Sequence, residues 1–135
     1  RTLCTVDIMP TLAHLAGAEP PENEFDGRNV WDIIAGKSDA KNPHEYYPFS
    51  TGRNFEGVIS GDGKWKLHVP HRYRTLVEPG WNGMPGKYKQ GKIGFALFDM
   101  ENDPYETTNV IDEHRKIAAR MKEYAEQHKQ KFYTK

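Results

Sequence analysis

The chain has a single cysteine, Cys4, so no internal disulfide can staple it and no zinc site can be built from paired thiolates. It has no apolar run near the ~20 residues that a membrane-spanning helix needs. Nor does any stretch have the form of a signal peptide, which by itself excludes no destination. An excess of one charge is also missing: nineteen Lys and Arg balance nineteen Asp and Glu. No net field therefore favours nucleic acid, an anionic membrane or an acidic partner, and any binding must be local. Hydrophobic residues make up only 36% of the 135 residues, with a mean hydropathy of -0.85. That is sparse for a chain of ordinary domain length, so some apolar faces are expected to need a partner surface. Finally, there is no phosphate-cradling glycine loop and no Ser/His/Asp arrangement of an independent hydrolase.

What is present divides at about Lys37. Before it, Asp7 to Gly17 reads as a helix, with Asp7 as N-cap, Pro10 in the first turn and Gly17 as the stop. Ile8, Leu12, Leu15 and Ala16 share one face of it, an apolar stripe with nothing in the neighbouring sequence to bury it. Glu19 to Glu24 reads as a surface loop. Asp26-Gly27 then turns into a short helical stretch, Val30 to Ala35, closed by Gly36.

After Lys37 the period falls to two. Phe55 to Ser60 and Lys64 to Val69 flank Gly61-Asp62-Gly63, a hairpin signal. In the second of these strands Trp65, Leu67 and Val69 form the expected buried face, and Lys64, Lys66 and His68 the polar one. Pro70 to Gly91, rich in Gly, Pro and basic residues, reads as a long loop. Gly94 to Met100 returns as a strand that Glu101-Asn102-Asp103-Pro104 turns away from. Asp112 to Phe132 is an amphipathic helix with Ile117, Met121, Tyr124, Ala125, His128 and Phe132 inward. Strands followed by one covering helix indicate an α+β unit.

Three blocks carry a resemblance. Asp7-Ile8-Met9-Pro10-Thr11-Leu12 with Leu15-Ala16-Gly17 and Asp26-Gly27, then Gly63-Lys64-Trp65-Lys66-Leu67-His68, then Ala96 through Asn109 occur in this order. The first resembles the segment that ends the large α/β domain of arylsulfatase-type sulfatases. The others are similar to the strands and turn of that family's small carboxy-terminal subdomain. The likeness extends to bacterial relatives of arylsulfatase A and N-acetylgalactosamine-6-sulfatase. It implies that residues 1–36 end a large α/β domain of alkaline-phosphatase-like fold. Residues 37–135 would then form the carboxy-terminal subdomain, an antiparallel sheet plus helix.

The resemblance also implies chemistry that these residues do not supply. In such enzymes a formylglycine, made from the first residue of a Cys/Ser-x-Pro/Ala-x-Arg motif, attacks the sulfate ester. A cation, usually calcium, polarises the sulfate. Here Cys4 is followed by Thr5, Val6, Asp7 and Ile8, so the motif fails. Asp7, Asp26 and Asp32 lack the spacing of a calcium loop, and Asp99, Glu101 and Asp103 read as turn residues. No catalytic residue, metal ligand or cofactor is therefore assigned to this chain. Calcium and formylglycine are expected elsewhere in a parent protein that is periplasmic or secreted. The expected partners are the upstream catalytic domain and a sulfated sugar, not nucleic acid or a membrane.

A locally basic stretch, Lys66 to Arg74, could touch that sugar. Arg offers paired donors to anionic oxygens, and His a donor or acceptor near neutral pH. His68, His71, Arg72 and Arg74 are the candidate substrate-binding residues, with Tyr73 and Trp81 as possible stacking platforms. The competing reading makes Lys66 and His68 an exposed strand face and Arg72 and Arg74 partners of acids in another domain. Two other functions stay open: a stand-alone module that binds anionic sugars, and a phosphate-ester hydrolase of the same superfamily. An exposed stripe at Ile8, Leu12 and Leu15 argues against the stand-alone module.

Overall fold

The computed structural model describes residues 2–19 and 22–133. The expected loop at 19–24 therefore includes Pro20 and Pro21, outside the described residues. The chain opens with a 3-10 turn, Thr5–Asp7, running directly into α1 (Ile8–Leu15), and α2 is one turn, Trp31–Ile34. Asp7 does cap, but it caps the 3-10 turn through the Cys4 amide and makes no cap bond to α1. Pro10 and Thr11 are the buried positions of α1, while Ile8, Leu12 and Leu15 are all exposed, Leu12 at 59%.

A four-stranded antiparallel sheet follows, built from β1 (Tyr46–Thr51), β2 (Asn54–Ser60), β3 (Trp65–His68) and β6 (Ala96–Asp99), in the order β1-β2-β3-β6. The β2–β3 hairpin and β6 fall where the sequence places them. β1 was not legible as a strand: Pro48 breaks its pattern, and it is tolerated because β1 lies at the sheet edge.

The registers align Val58 with Leu67 and Leu67 with Leu97, so these three share one face. Helix α3 (Arg115–Tyr133) lays Ala118, Met121, Tyr124 and Ala125 against them to form the core. Tyr46 stacks on Tyr124 at 5.0 Å between centroids. Phe132, expected inward, is about half exposed and packs on His128 of its own helix at 4.7 Å, while its neighbour Tyr133 takes the contact with Phe55 of β2.

The largest departure is at Pro70 to Gly91, expected as a loop. It forms an antiparallel ribbon of β4 (His71–Glu78) and β5 (Lys87–Ile93), a sheet of its own. At its tip Asn82 and Gly83 both take left-handed conformations, at φ 48° and 77°, between the bridged residues Trp81 and Met84. An Asn-Gly pair is the turn signal that matches the twist of two strands; the proline and glycine around it obscured the pairing. Gly91 lies opposite Tyr73, whose ring would sit 2.6 Å from any Cβ there.

Candidate functional site

The sheet face away from α3 carries Tyr47, Phe49, Lys66, His68 and Phe98, because strand side chains alternate. This is the face expected to be polar and solvated. Instead His68 is only 9% exposed, and the reason is Glu106. Just after the Asp103 turn, Glu106 adopts φ 56°, a left-handed conformation uncommon outside glycine. Its carboxylate reaches Lys66 Nζ at 2.5 Å and His68 Nε2 at 2.7 Å. Phe49 and Phe98 meet the His68 ring edge-on at 5.1 and 5.7 Å. Lys66 Nζ also lies over the Phe49 ring.

His71, the first residue of β4, stacks on His68 with centroids 5.2 Å apart and planes 17° apart. Its Nδ1 donates to the Val69 carbonyl at 2.7 Å, and its Nε2 lies 3.9 Å from Glu56 Oε2. A carboxylate only accepts, so His68 Nε2 carries the proton it shares with Glu106. Burial pushes the His68 imidazole below its ordinary range, against the opposing pull of Glu106. The ring is therefore neutral at pH 7 with Nδ1 a lone-pair acceptor, and that atom is buried without a partner. Burial alone would raise the Glu106 carboxyl, but Lys66 and His68 together hold it below its usual value.

Of the four candidates, the structure thus joins His68 and His71 and separates Arg72 and Arg74. His71 and Tyr73 leave one face of β4, Arg72 and Arg74 the other. Arg72 is exposed, and Arg74 places its guanidinium 3.7 Å from the centre of the Tyr88 ring. Neither pairs with an acid among the described residues. Glu106 was missed by sequence reasoning, and no local signal points to it: 38 residues separate it from His68, and its role depends on a backbone conformation rarely chosen by Glu.

A second polar cluster surrounds Asp7, 1% exposed. Its carboxylate accepts from the Arg28 amide at 2.9 Å, the Cys4 amide at 3.3 Å and His44 Nε2 at 2.7 Å. The Tyr47 hydroxyl lies 3.2 Å from Asp7 and 3.2 Å from Asn42 Oδ1. Burial would raise the Asp7 carboxyl; the Arg28 amide and His44 outweigh it and lower it. Burial, with the Asp7 charge adding to it, pushes the Tyr47 phenol up to about 12. The cluster fastens the first segment to β1 and has no free oxygen face for a substrate.

Among the described residues no three His, Cys, Asp or Glu side chains converge as metal ligands. Asp99 accepts from the Glu101 amide and Asn102, and Asp103 from the amides of Thr107 and Thr108, so both are committed to their turn. Cys4 stands at the entrance of the 3-10 turn, outside the nucleophile motif.

The chain superposes with TM-score 0.59 and 22% identity on a Bacteroides thetaiotaomicron protein described with the metabolism of multiple glycosaminoglycans by a versatile core genetic locus. That superposition covers 92% of this chain and 24% of that one. In sequence it is 27% identical to arylsulfatase G of Mus musculus over 103 residues, 74% of this chain and 19% of that protein. It is 25% identical to arylsulfatase A of Bos taurus over 119 residues, 84% and 23% respectively. No family model matches. The chain is thus similar in sequence to two arylsulfatases, and it spans about a fifth of the length of these curated relatives.

Proposed function

We propose that this chain is the carboxy-terminal part of an enzyme that hydrolyses sulfate esters of glycans, and that it completes the fold and shapes one edge of the substrate pocket. The observation that carries this is the shared sequence with two arylsulfatases over most of the chain, joined to the fold likeness. Residues 1–36 end the large catalytic domain and residues 37–135 form the subdomain. The nucleophile, as formylglycine, and a calcium ion belong to the remainder of the parent protein, which is periplasmic or secreted. No helix among the described residues is long and apolar enough to cross a membrane.

Two observations support the division of labour. The stripe of Ile8, Leu12 and Leu15, extended by Leu3, Val6 and Met9, is exposed, and contiguous apolar surface of this kind marks an interface. We assign it to contact with the catalytic domain. The stacked imidazoles of His68 and His71 are fixed by Glu106 and Val69. Such bracing suits a rigid pocket edge at His71, beside which the exposed Arg72 extends donors toward sulfate oxygens from the other face of β4.

The upstream coding sequence tests the first claim: it should contain a Cys/Ser-x-Pro/Ala-x-Arg motif and an acidic metal cluster, and their absence would sink it. A phosphatase-type nucleophile there would instead favour phosphate esters. For the pocket edge, His71→Ala in the complete protein should raise KM or change preference among sulfated sugars. Unchanged kinetics would remove this edge from substrate recognition.

A further inference from the structure

A groove of about 860 Å³ lies between the β3–β4 junction, the start of β2 and the outer side of α3. That volume falls in the ~300–1,000 Å³ range of clefts that take small ligands. Its walls hold four cationic side chains, Arg53, Arg72, Lys122 and Lys129, against one carboxylate, Glu126. In a chain whose charges sum to zero, this is a pronounced local imbalance. It is not neutralised internally either: none of the four cations has an acidic partner among the described residues. Glu126 is meanwhile engaged by Gln130 at 3.1 Å.

Between the cations lie aromatic faces. Phe95 is about half exposed and carries Lys122 Nζ 4.6 Å from its ring centre, and Phe55 packs against Tyr133 at 5.6 Å. Unpaired cations alternating with ring-sized apolar platforms match a ligand with fixed anionic oxygens on a flat, partly apolar frame.

We infer that this groove binds a sulfated saccharide, with Arg53, Arg72, Lys122 and Lys129 taking the sulfate groups and Phe95 a sugar face. The choice of a sulfated sugar over other anions rests on the function proposed above; the basic, aromatic character of the groove does not. Because Arg72 begins the β4 ribbon beside His71 and Lys129 lies on α3, the groove extends recognition from the strand junction along the helix. A longer sulfated chain would then be held at more than one unit.

The test is titration calorimetry of the 135-residue chain with a heparin tetrasaccharide, its desulfated counterpart and a single-stranded DNA oligomer of equal charge. The expected result is binding of the heparin tetrasaccharide alone. The Lys122→Ala/Lys129→Ala variant should weaken it at least tenfold, and Lys87→Ala/Lys89→Ala, with the same charge removed on the ribbon, less than twofold. Both pairs are exposed, so circular dichroism should show unchanged folding. Equal loss in the two variants, or no binding by the parent chain, overturns the groove. DNA binding as tight as heparin binding overturns the sugar assignment while leaving the upstream nucleophile test untouched.

Discussion

Glu106 holds His68 from a left-handed backbone, its Oε2 2.7 Å from the imidazole Nε2 while its Oε1 takes Lys66. One carboxylate thus satisfies two cationic or protonated groups on a face that would otherwise be wet. Its loss would strand both. Glu106→Ala is expected to destabilise the chain by about 1–3 kcal/mol, the cost of leaving part-buried polar groups without a partner. Urea unfolding measures it, and a midpoint within error of the unchanged chain would show that Lys66 and His68 find water instead.

Asp7 should matter more, because it is more deeply buried and has more donors. Asp7→Ala leaves the Arg28 and Cys4 amides and His44 without their acceptor, while the Tyr47 hydroxyl keeps Asn42 Oδ1. A loss of roughly 2–4 kcal/mol follows from breaking a buried charge-assisted cluster. Faster hydrogen exchange at the Arg28 amide would localise it; a uniform change across the sheet would contradict this account.

Acid should weaken the fold in two stages. His68 and His128 both titrate in the fold below their ordinary 6.5, chiefly through burial. The unfolded chain then binds protons first, so their contribution is complete above about pH 6.5 and is lost as pH falls through their folded values. Asp7 and Glu106, also lowered, lose theirs below the ordinary carboxylate range. His68→Gln should flatten the first stage in a series of urea midpoints, and an undiminished slope would assign it elsewhere.

At the alkaline end Tyr47 acts with the opposite sign. Its phenol is raised from 10.0 to about 12, so its contribution is present below pH 10 and is lost as pH rises through its folded value. The magnitude is on the order of 2 kcal/mol. Tyr47→Phe should remove this alkaline decline in thermal melts between those limits.

Leu67 and Leu12 should behave in contrast. Leu67→Ala, at 0% exposure in the core, is expected to cost about 2–5 kcal/mol. Leu12→Asp, on the exposed stripe, should change the stability of this chain by no more than about 0.5 kcal/mol. In the complete protein, however, the contact proposed for the stripe predicts that Leu12→Asp reduces folded yield. Normal yield there would refute that contact.

Periodicity made most of the fold legible. The β2–β3 hairpin, β6 and α3 all announce themselves by period-two or helical spacing, because each has one face that must leave water. β1 and the β4–β5 ribbon did not. Pro48 interrupts the first, and the ribbon forms a separate two-stranded sheet whose exposed residues carry no alternation of burial to read. Its Asn82-Gly83 turn was the one local signal, visible in the sequence but outweighed by the composition around it.

The sequence by itself determined the α+β class, the sulfatase likeness, the exposed stripe of α1 and the absence of a nucleophile motif. Each of these depends on residues near one another in the chain. Only the tertiary structure decided the candidate site. His68 and His71 stack because β4 starts where β3 ends, while alternation along β4 sends Arg72 and Arg74 to the other side. Glu106 arrives from beyond β6 through a left-handed turn, and Lys122 and Lys129 meet Arg72 only because α3 folds back over the sheet. Such pairings depend on chain reversal and register, which no local spacing encodes.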